Sequence, residues 1–166
     1  GALKDLRDAG EFTREDVVLR FRAPVHEDFV RERARSAGVE DLIEVQPQIA
    51  YRDALAEMLS VDALLVLQNS SCNEQIPAKL YEYLRTGRPI LGLTDPPGDT
   101  ARLMQSCGLD AIAPLESRAA IAAVFPTFLR GLRDGQQRGA ALEDVARYSR
   151  VSLAGRLAKL LDSLTA

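Results

Sequence analysis

The chain alternates short apolar runs, rich in aliphatic and β-branched residues, with longer amphipathic stretches. The runs have the length of strands, and the stretches between them have the length and periodicity of helices. The predicted strands are Val17–Phe21, Leu42–Gln46, Ala63–Gln68, Pro89–Thr94 and Asp110–Leu115. The helical patterns cover 26–37, 51–60, 76–86, 99–107 and 117–133. The order of elements therefore predicts an α/β domain.

Several of the apolar runs are almost uninterrupted, and residues 63–67 are the clearest example. Such runs indicate strands covered on both faces, because a strand with one face in water would alternate apolar and polar residues. Gly38, Gly87 and Gly108 each follow a helical stretch, where a C-terminal cap needs a positive φ. The predicted fold class is a doubly wound, mainly parallel, Rossmann-like sheet with helices on both faces. Such sheets bind ligands at the carboxyl ends of their strands.

Both ends of the sequence have helical patterns. Residues 2–6 form one with no strand before it, so we expect the domain, residues 1–166, to lack the first strand of the complete fold. A tail helix is predicted at about 151–164, and its apolar stripe comprises Val151, Ala154, Leu157, Ala158, Leu161 and Leu164. This stripe either caps the sheet or crosses to another domain, and the pattern leaves both alternatives open.

Composition narrows the class of protein. With 166 residues, of which 46% are hydrophobic, the chain is long enough for one domain with a core. The net charge of −3 and the scattered arginines favour no nucleic-acid partner. No apolar run has the length of a membrane span. The two cysteines, Cys72 and Cys107, have neither metal-site spacing nor a disulfide framework around them. We expect a cytoplasmic protein without a metal.

The segment after the third predicted strand contains a candidate anion site. Pro77 suits the first turn of a helix, which predicts a helix start near residue 76. The backbone amides of Ala78, Lys79 and Leu80 then have few acceptors within the helix, and they lie at the positive end of its dipole. These amides predict a phosphate-binding position that needs no glycine-rich loop.

Two glutamates flank those amides. Glu74 precedes the helix, and Glu82 lies about 7–8 Å past Pro77 along its axis at 1.5 Å per residue. Carboxylates accept hydrogen bonds from neighbouring hydroxyls, and a nucleoside diphosphate sugar carries hydroxyls on both sides of its diphosphate. The alternative is structural, because Glu74 favours a helix start and Glu82 has Lys79 and Arg85 at ion-pair spacing.

Residues 61–67 (VDALLVL), the glutamate pair and residues 77–91 (PAKLYEYLRTGRPIL) together resemble family 4 glycosyltransferases of the GT-B fold. A weaker similarity covers nearly the whole chain, including residues 49–55. The resemblance is to the C-terminal, donor-binding domain, which is one half of a GT-B enzyme. It implies a retaining, hexosyltransferase-type enzyme that moves a sugar from a nucleoside diphosphate sugar to an acceptor without a metal or other cofactor. It also implies a companion N-terminal, acceptor-binding domain, through which any contact with a membrane surface would occur.

The resemblance assigns roles to individual residues. It implies that Glu82 binds the ribose hydroxyls and that Glu74 binds the transferred sugar and acts in catalysis. It implies that the diphosphate is held by backbone amides at Ala78, Lys79 and Leu80, and that the base meets the loop through Ile49, Ala50 and Tyr51. The leaving diphosphate is then stabilised electrostatically.

Two features depart from the family's pattern. Ile76 and Pro77 stand where relatives often have residues whose amides hold the sugar, and Pro77 has no N–H. The basic pair that grips the donor phosphates near the start of the family's domain has no identified counterpart. Two alternatives therefore remain open: a non-catalytic nucleotide-binding or regulatory α/β module, and a degenerate domain kept as an interaction scaffold. In every case we expect the chain alone to be inactive as a transferase.

Overall fold

The computed structural model describes residues 1–165, and Ala166, the last residue of the predicted domain, lies outside the described residues. The elements in chain order are α1 (Ala2–Asp8), β1 (Leu19–Arg22), α2 (Glu27–Ser36), β2 (Ile43–Gln46), α3 (Tyr51–Ser60), β3 (Leu64–Leu67), α4 (Ala78–Thr86), β4 (Ile90–Leu93), α5 (Asp99–Ser106), β5 (Ile112–Ala113), α6 (Arg118–Arg133), α7 (Leu142–Ala146) and α8 (Arg150–Thr165). Short 3-10 turns lie at Glu40–Leu42 and Ser70–Cys72. Four of the predicted strands contain an observed strand, and β1 overlaps the predicted Val17–Phe21 but extends one residue past it to Arg22, so the predicted alternation is confirmed.

All of the strand pairs in the described residues are parallel, which confirms the predicted fold class. The strands hydrogen bond in two groups, with β1 beside β2 in one and the order β3-β4-β5 in the other. In the first group Leu19 lies opposite Ile43, and in the second Leu64 lies opposite Ile90. The parallel direction places the carboxyl ends of the strands within each group at one edge.

Helices cover both faces of the strands, and the core is accordingly divided in two. Adjacent residues of β4 show the division, because Ile90 packs with α4 and α5 whereas Leu91 packs with α1 and α6. Leu80 and Leu84 of α4 are fully buried in the first cluster, and the Phe125 ring of α6 is buried in the second. The continuous apolar character of β3 and β4 follows from this covering on both sides.

The tail helix α8 lies away from the core. Its stripe is exposed to solvent, with Val151 at 84%, Leu157 at 56% and Leu164 at 75% of their full accessible area. The alternative in which this helix caps the sheet is therefore wrong, because capping would bury these side chains. No helix in the described residues is both long enough and apolar enough to cross a membrane.

Candidate functional site

Side-chain hydrogen bonds join the loops that follow β3, β4 and β5. Asn69 Nδ2 and Ser70 Oγ donate to the same Glu116 oxygen at 2.9 and 3.1 Å. Asn73 Nδ2 donates to Asp95 Oδ2 at 3.0 Å. The carboxyl edge predicted to bind ligands is thus one connected polar surface. Glu116 was missed by the sequence analysis, since nothing in the local pattern links it to a loop 46 residues earlier.

Gln68 holds the loop that carries Glu74. Its Nε2 donates to the carbonyl oxygens of Cys72 and Gln75, both at 2.7 Å. Thr100 Oγ1 at the start of α5 donates to the same Gln75 oxygen at 3.0 Å. The Gln68 side chain therefore fixes the path of the chain on both sides of Glu74. The one feature of the sequence that points to this role of Gln68 is its position as a polar residue at the end of an apolar strand.

Three buried oxygen atoms concentrate at this edge without a hydrogen-bond partner in the described part of the chain: Gln68 Oε1, Asn73 Oδ1 and Thr94 Oγ1. Gln68 is 8% exposed and Thr94 is 1% exposed. Such atoms are uncommon because burying an unpaired polar group is costly, and they occur at functional sites. The loops after β3 and β4 are therefore the most chemically unusual part of the described core.

The start of α4 differs from the sequence prediction. The helix begins at Ala78, two residues after the predicted position, and Pro77 precedes it as the N-cap with φ −63° and ψ 131°. The extended ψ of Pro77 takes that residue out of the helix. The Leu80 amide donates to the Pro77 carbonyl at 2.9 Å, so it is not free for a ligand. The amides of Ala78 and Lys79 have no acceptor within the described residues, which reduces the predicted group of three to two.

Two of the predicted donor-binding residues are in direct contact. Tyr51 Oη donates a hydrogen bond to Glu82 Oε1 at 3.0 Å, which joins the first residue of α3 to the second turn of α4. This hydrogen bond and the negative charge of Glu82 raise the pKa of the Tyr51 phenol. Neither Lys79 nor Arg85 forms an ion pair with Glu82 among the described residues. The alternative in which Glu82 serves only to form an ion pair within its own helix is therefore not supported by the described residues.

The remaining predicted residues divide between the loop before Tyr51 and the start of α4. Ala50 is the exposed N-cap of α3 and Ile49 before it is half-buried, so the predicted base-binding loop leads directly into Tyr51. Glu74 is exposed in a turn four residues before α4 and has no partner among the described side chains. The Lys79 side chain is exposed as well. Glu74 is not in contact with Glu82, and its proposed role in catalysis stays a prediction.

Arg22 is the basic residue at the carboxyl end of β1, but it is engaged. Its Nε and Nη2 donate to Glu57 at 2.9 and 2.5 Å, and its Nη1 donates to the Pro47 carbonyl at 2.8 Å. These contacts fix the guanidinium between β1 and α3. Ala23, which follows, has φ 47°, a conformation that residues with a Cβ adopt at a cost of roughly 1–3 kcal/mol. This strained turn lies at the same carboxyl edge, but it carries no free cation.

The site at the start of α4 is an open surface, because Glu74, Ala78 and Lys79 are all exposed. Two surface hollows lie elsewhere, one between α2 and β2 and one near Ile90 and Gly108. No group of three or more metal-ligating side chains occurs in the described residues. Compared with known proteins, the chain matches no protein-family model and no curated protein. The assignment of a function therefore depends on the residues and their geometry.

Proposed function

We propose that this chain is the donor-binding domain of a retaining glycosyltransferase, which holds a nucleoside diphosphate sugar while another domain presents the acceptor. One observation carries the proposal. Two amides without acceptors among the described residues, those of Ala78 and Lys79, begin α4, and Glu82, which accepts a hydrogen bond from Tyr51, lies about one helical turn further along. The proposal assigns Tyr51 to the base side of the donor, Glu82 to the ribose and the two amides to the diphosphate.

Each part of the donor has a physical reason to bind as proposed. The free amides and the positive end of the α4 dipole favour an anion, so they receive the diphosphate. Glu82 accepts hydrogen bonds from the two ribose hydroxyls while Tyr51 keeps the base on the α3 side. Glu74, on the loop held by Gln68, accepts hydrogen bonds from the sugar. As the bond to the sugar breaks, the same amides stabilise the charge that develops on the diphosphate. The proposal requires no metal ion.

A nucleotide-binding module without transferase activity is the second candidate. Pro77 favours it, because a proline at the helix start cannot donate a hydrogen bond to a sugar. Such a module needs only the amides, Glu82 and Tyr51, and would have no use for Glu74. The two functions are therefore separated by whether Glu74 contributes to binding of the sugar.

The substitution Ala78→Pro tests the diphosphate site by removing one N–H. Proline suits the first position of a helix, and the extended ψ of Pro77 is the conformation that a residue before proline adopts. The helix should therefore persist, and the free energy of unfolding should be unchanged or higher. Loss of a hydrogen bond to a charged group costs about 1.5–3 kcal/mol, so nucleoside diphosphate affinity should fall about tenfold to a hundredfold.

Calorimetry with UDP, GDP and ADP, each measured on wild type and on Ala78→Pro, provides the comparison. Ala78→Gly is the matched control, since it changes the same side chain and keeps the N–H. Wild-type affinity in the proline variant would contradict the diphosphate site. Failure of all three nucleotides to bind the wild-type chain would contradict nucleotide binding itself and favour the interaction scaffold.

A further inference from the structure

The two groups of strands have open edges that carry unpaired backbone groups. In the described residues β1 pairs only with β2, and β3 pairs only with β4. The amides of Leu64 and Gln68 donate to carbonyls at Pro89 and Leu93 beside β4. Since successive residues of a strand present their N–H and C=O groups to opposite edges, those of Leu65 and Leu67 lie on the open edge of β3.

The same reasoning identifies the open edge of β1. The Ala23 amide donates to the Gln46 carbonyl beside β2, so Phe21 also presents its backbone groups to β2. The N–H and C=O groups of Arg20 and Arg22 therefore lie on the other edge. Their side chains do not block it, because both guanidiniums bind Glu57 of α3 above the face of the strand. Both strand groups thus end in an uncapped parallel edge.

The same helices cover both strand groups. On one face α3 binds β1 through Glu57, and it packs Met58 against the cluster that contains Leu64 and Val66 of β3. On the opposite face, Leu19 of β1 and Leu65 of β3 pack against one cluster with α1 and α6. The two groups therefore belong to one layer, with the open edges of β1 and β3 on its inner side. Leu67 is 47% exposed even though it lies in a strand covered by helices, so this edge is not filled.

The strand order fits a doubly wound sheet with one interior position open. Such sheets are built from two βαβαβ halves in the order 3-2-1-4-5-6, so the innermost strand of the first half neighbours the first strand of the second. The order β2-β1 followed by β3-β4-β5 corresponds to this arrangement without the strand at position 1. We propose that the slot between β1 and β3 takes one apolar β-strand, which runs parallel to both and whose carboxyl end leads into α1.

The position of α1 determines this connection. The first turns of α1 lie at the carboxyl edge, because Asp5 binds Arg118 at the start of α6, directly after β5. A parallel strand in the slot ends at the same edge and reaches Gly1 through a short connection. Because helices cover both faces of the slot, the strand must be apolar on both faces, as β3 and β4 are. A second copy of the chain is a poorer occupant, since its own β1 and β3 already belong to folded groups.

The chain offers its own probe for this slot. The segment Ala63–Gln68 has the required composition, and a copy of it can be joined ahead of Gly1 through a short Gly/Ser linker, which makes binding intramolecular. The matched control carries proline at alternate positions of the copy and lacks the amide donors there. The same six-residue peptide, acetylated and amidated, is added in trans to the unmodified chain as an independent arm.

Amide hydrogen exchange measures the pairing at both edges separately. In the unmodified chain, the amides of Arg20, Arg22, Leu65 and Leu67 should exchange faster than the Leu64 and Gln68 amides, which are bonded to β4. In the fusion, the open-edge amides of both strands should exchange at least about tenfold more slowly, while the proline control should not change them. The fused chain should remain a monomer by light scattering.

Three results would overturn the proposal. Protection of one edge alone would show that no common slot exists. If the open-edge amides exchange as fast in the fusion and in the peptide mixture as in the unmodified chain and the proline control, no strand enters the slot. Dimerisation of the unmodified chain with both edges already protected would show that a second copy occupies them.

Discussion

Glutamine in place of Glu57 tests how β1 is held to α3. Glu57 accepts three hydrogen bonds, one from Arg20 and two from Arg22, at 2.5–3.0 Å. Its side chain is 19% exposed, and those of Arg22 and Arg20 are 27% and 44% exposed. Bidentate, charge-assisted bonds of this kind exceed an ordinary surface pair, but partial exposure reduces them. We expect Glu57→Gln to lower the free energy of unfolding by about 1–2 kcal/mol at pH 7.

The same substitution has a defined dependence on pH. The hydrogen bonds and charge of Arg22, and then those of Arg20, hold the pKa of Glu57 below its usual value. A carboxylate with a lowered folded-state pKa stabilises the protein above the unfolded-state pKa of roughly 4.3, and that contribution is lost as the pH falls through the folded-state value. The difference between wild type and Glu57→Gln should therefore be constant from pH 8 to about 5 and shrink below about 4.3.

Urea unfolding followed by circular dichroism between pH 8 and 3.5 measures both quantities. Glu44→Gln is the matched control, because within residues 1–165 Glu44 accepts a side-chain hydrogen bond from Arg20 alone, and its side chain is 41% exposed. It should change the free energy of unfolding by no more than about 0.5 kcal/mol. Equal losses in the two variants, or a Glu57→Gln difference that does not decrease at low pH, would refute the assignment of this carboxylate as the clamp between β1 and α3.

Three further outcomes follow from particular contacts. Gly139→Ala should lower the free energy of unfolding by about 3 kcal/mol or more in urea, because the added Cβ would lie 2.0 Å from the Gly87 carbonyl oxygen. Gly155→Ala is the control, since its Cβ would meet nothing within 4 Å and should not destabilise the chain. Similar losses of stability in the two variants would contradict the clash at Gly139. Glu82→Gln should lower the raised pKa of Tyr51 toward 10 in an NMR titration of its ring, whereas an unchanged pKa would contradict the contact. A radiolabelled transfer assay should show no sugar transfer by this chain alone, because the proposed function assigns the acceptor surface to another domain, and any turnover would contradict that assignment.

The fold was predictable where a local pattern determines it. The uninterrupted run in β3 required covering on both faces, and the structure places α4 on one side and the α1–α6 cluster on the other. The helix start at Pro77 was predicted two residues early, because proline fits both the first helical turn and the extended residue before it. Only the actual ψ of 131° distinguishes the two positions.

The connections within the site were less accessible from sequence. The contact between Tyr51 and Glu82 joins residues 31 positions apart, and both residues were predicted separately for different parts of the donor. Gln68 donates two hydrogen bonds to the loop that carries Glu74, whereas the apolar pattern identifies Gln68 only as the last residue of a predicted strand. Periodicity identifies the face on which a residue lies, but it does not contain the tertiary partner of a polar side chain. The separation of the strands into the groups β1-β2 and β3-β4-β5 is likewise not visible in the periodicity, because it depends on which strands hydrogen bond to each other.

The division of roles between Glu74 and Glu82 is the central claim, and calorimetry on two alanine variants tests it directly. Each variant is titrated with a nucleoside diphosphate that binds the wild-type chain and with the corresponding nucleotide sugar. Glu82→Ala should weaken both ligands by similar factors, about tenfold to a hundredfold, because both contain the ribose. Glu74→Ala should weaken only the nucleotide sugar. Equal effects of the two variants on the bare diphosphate would contradict the division, and no effect of either would contradict a donor site at the start of α4.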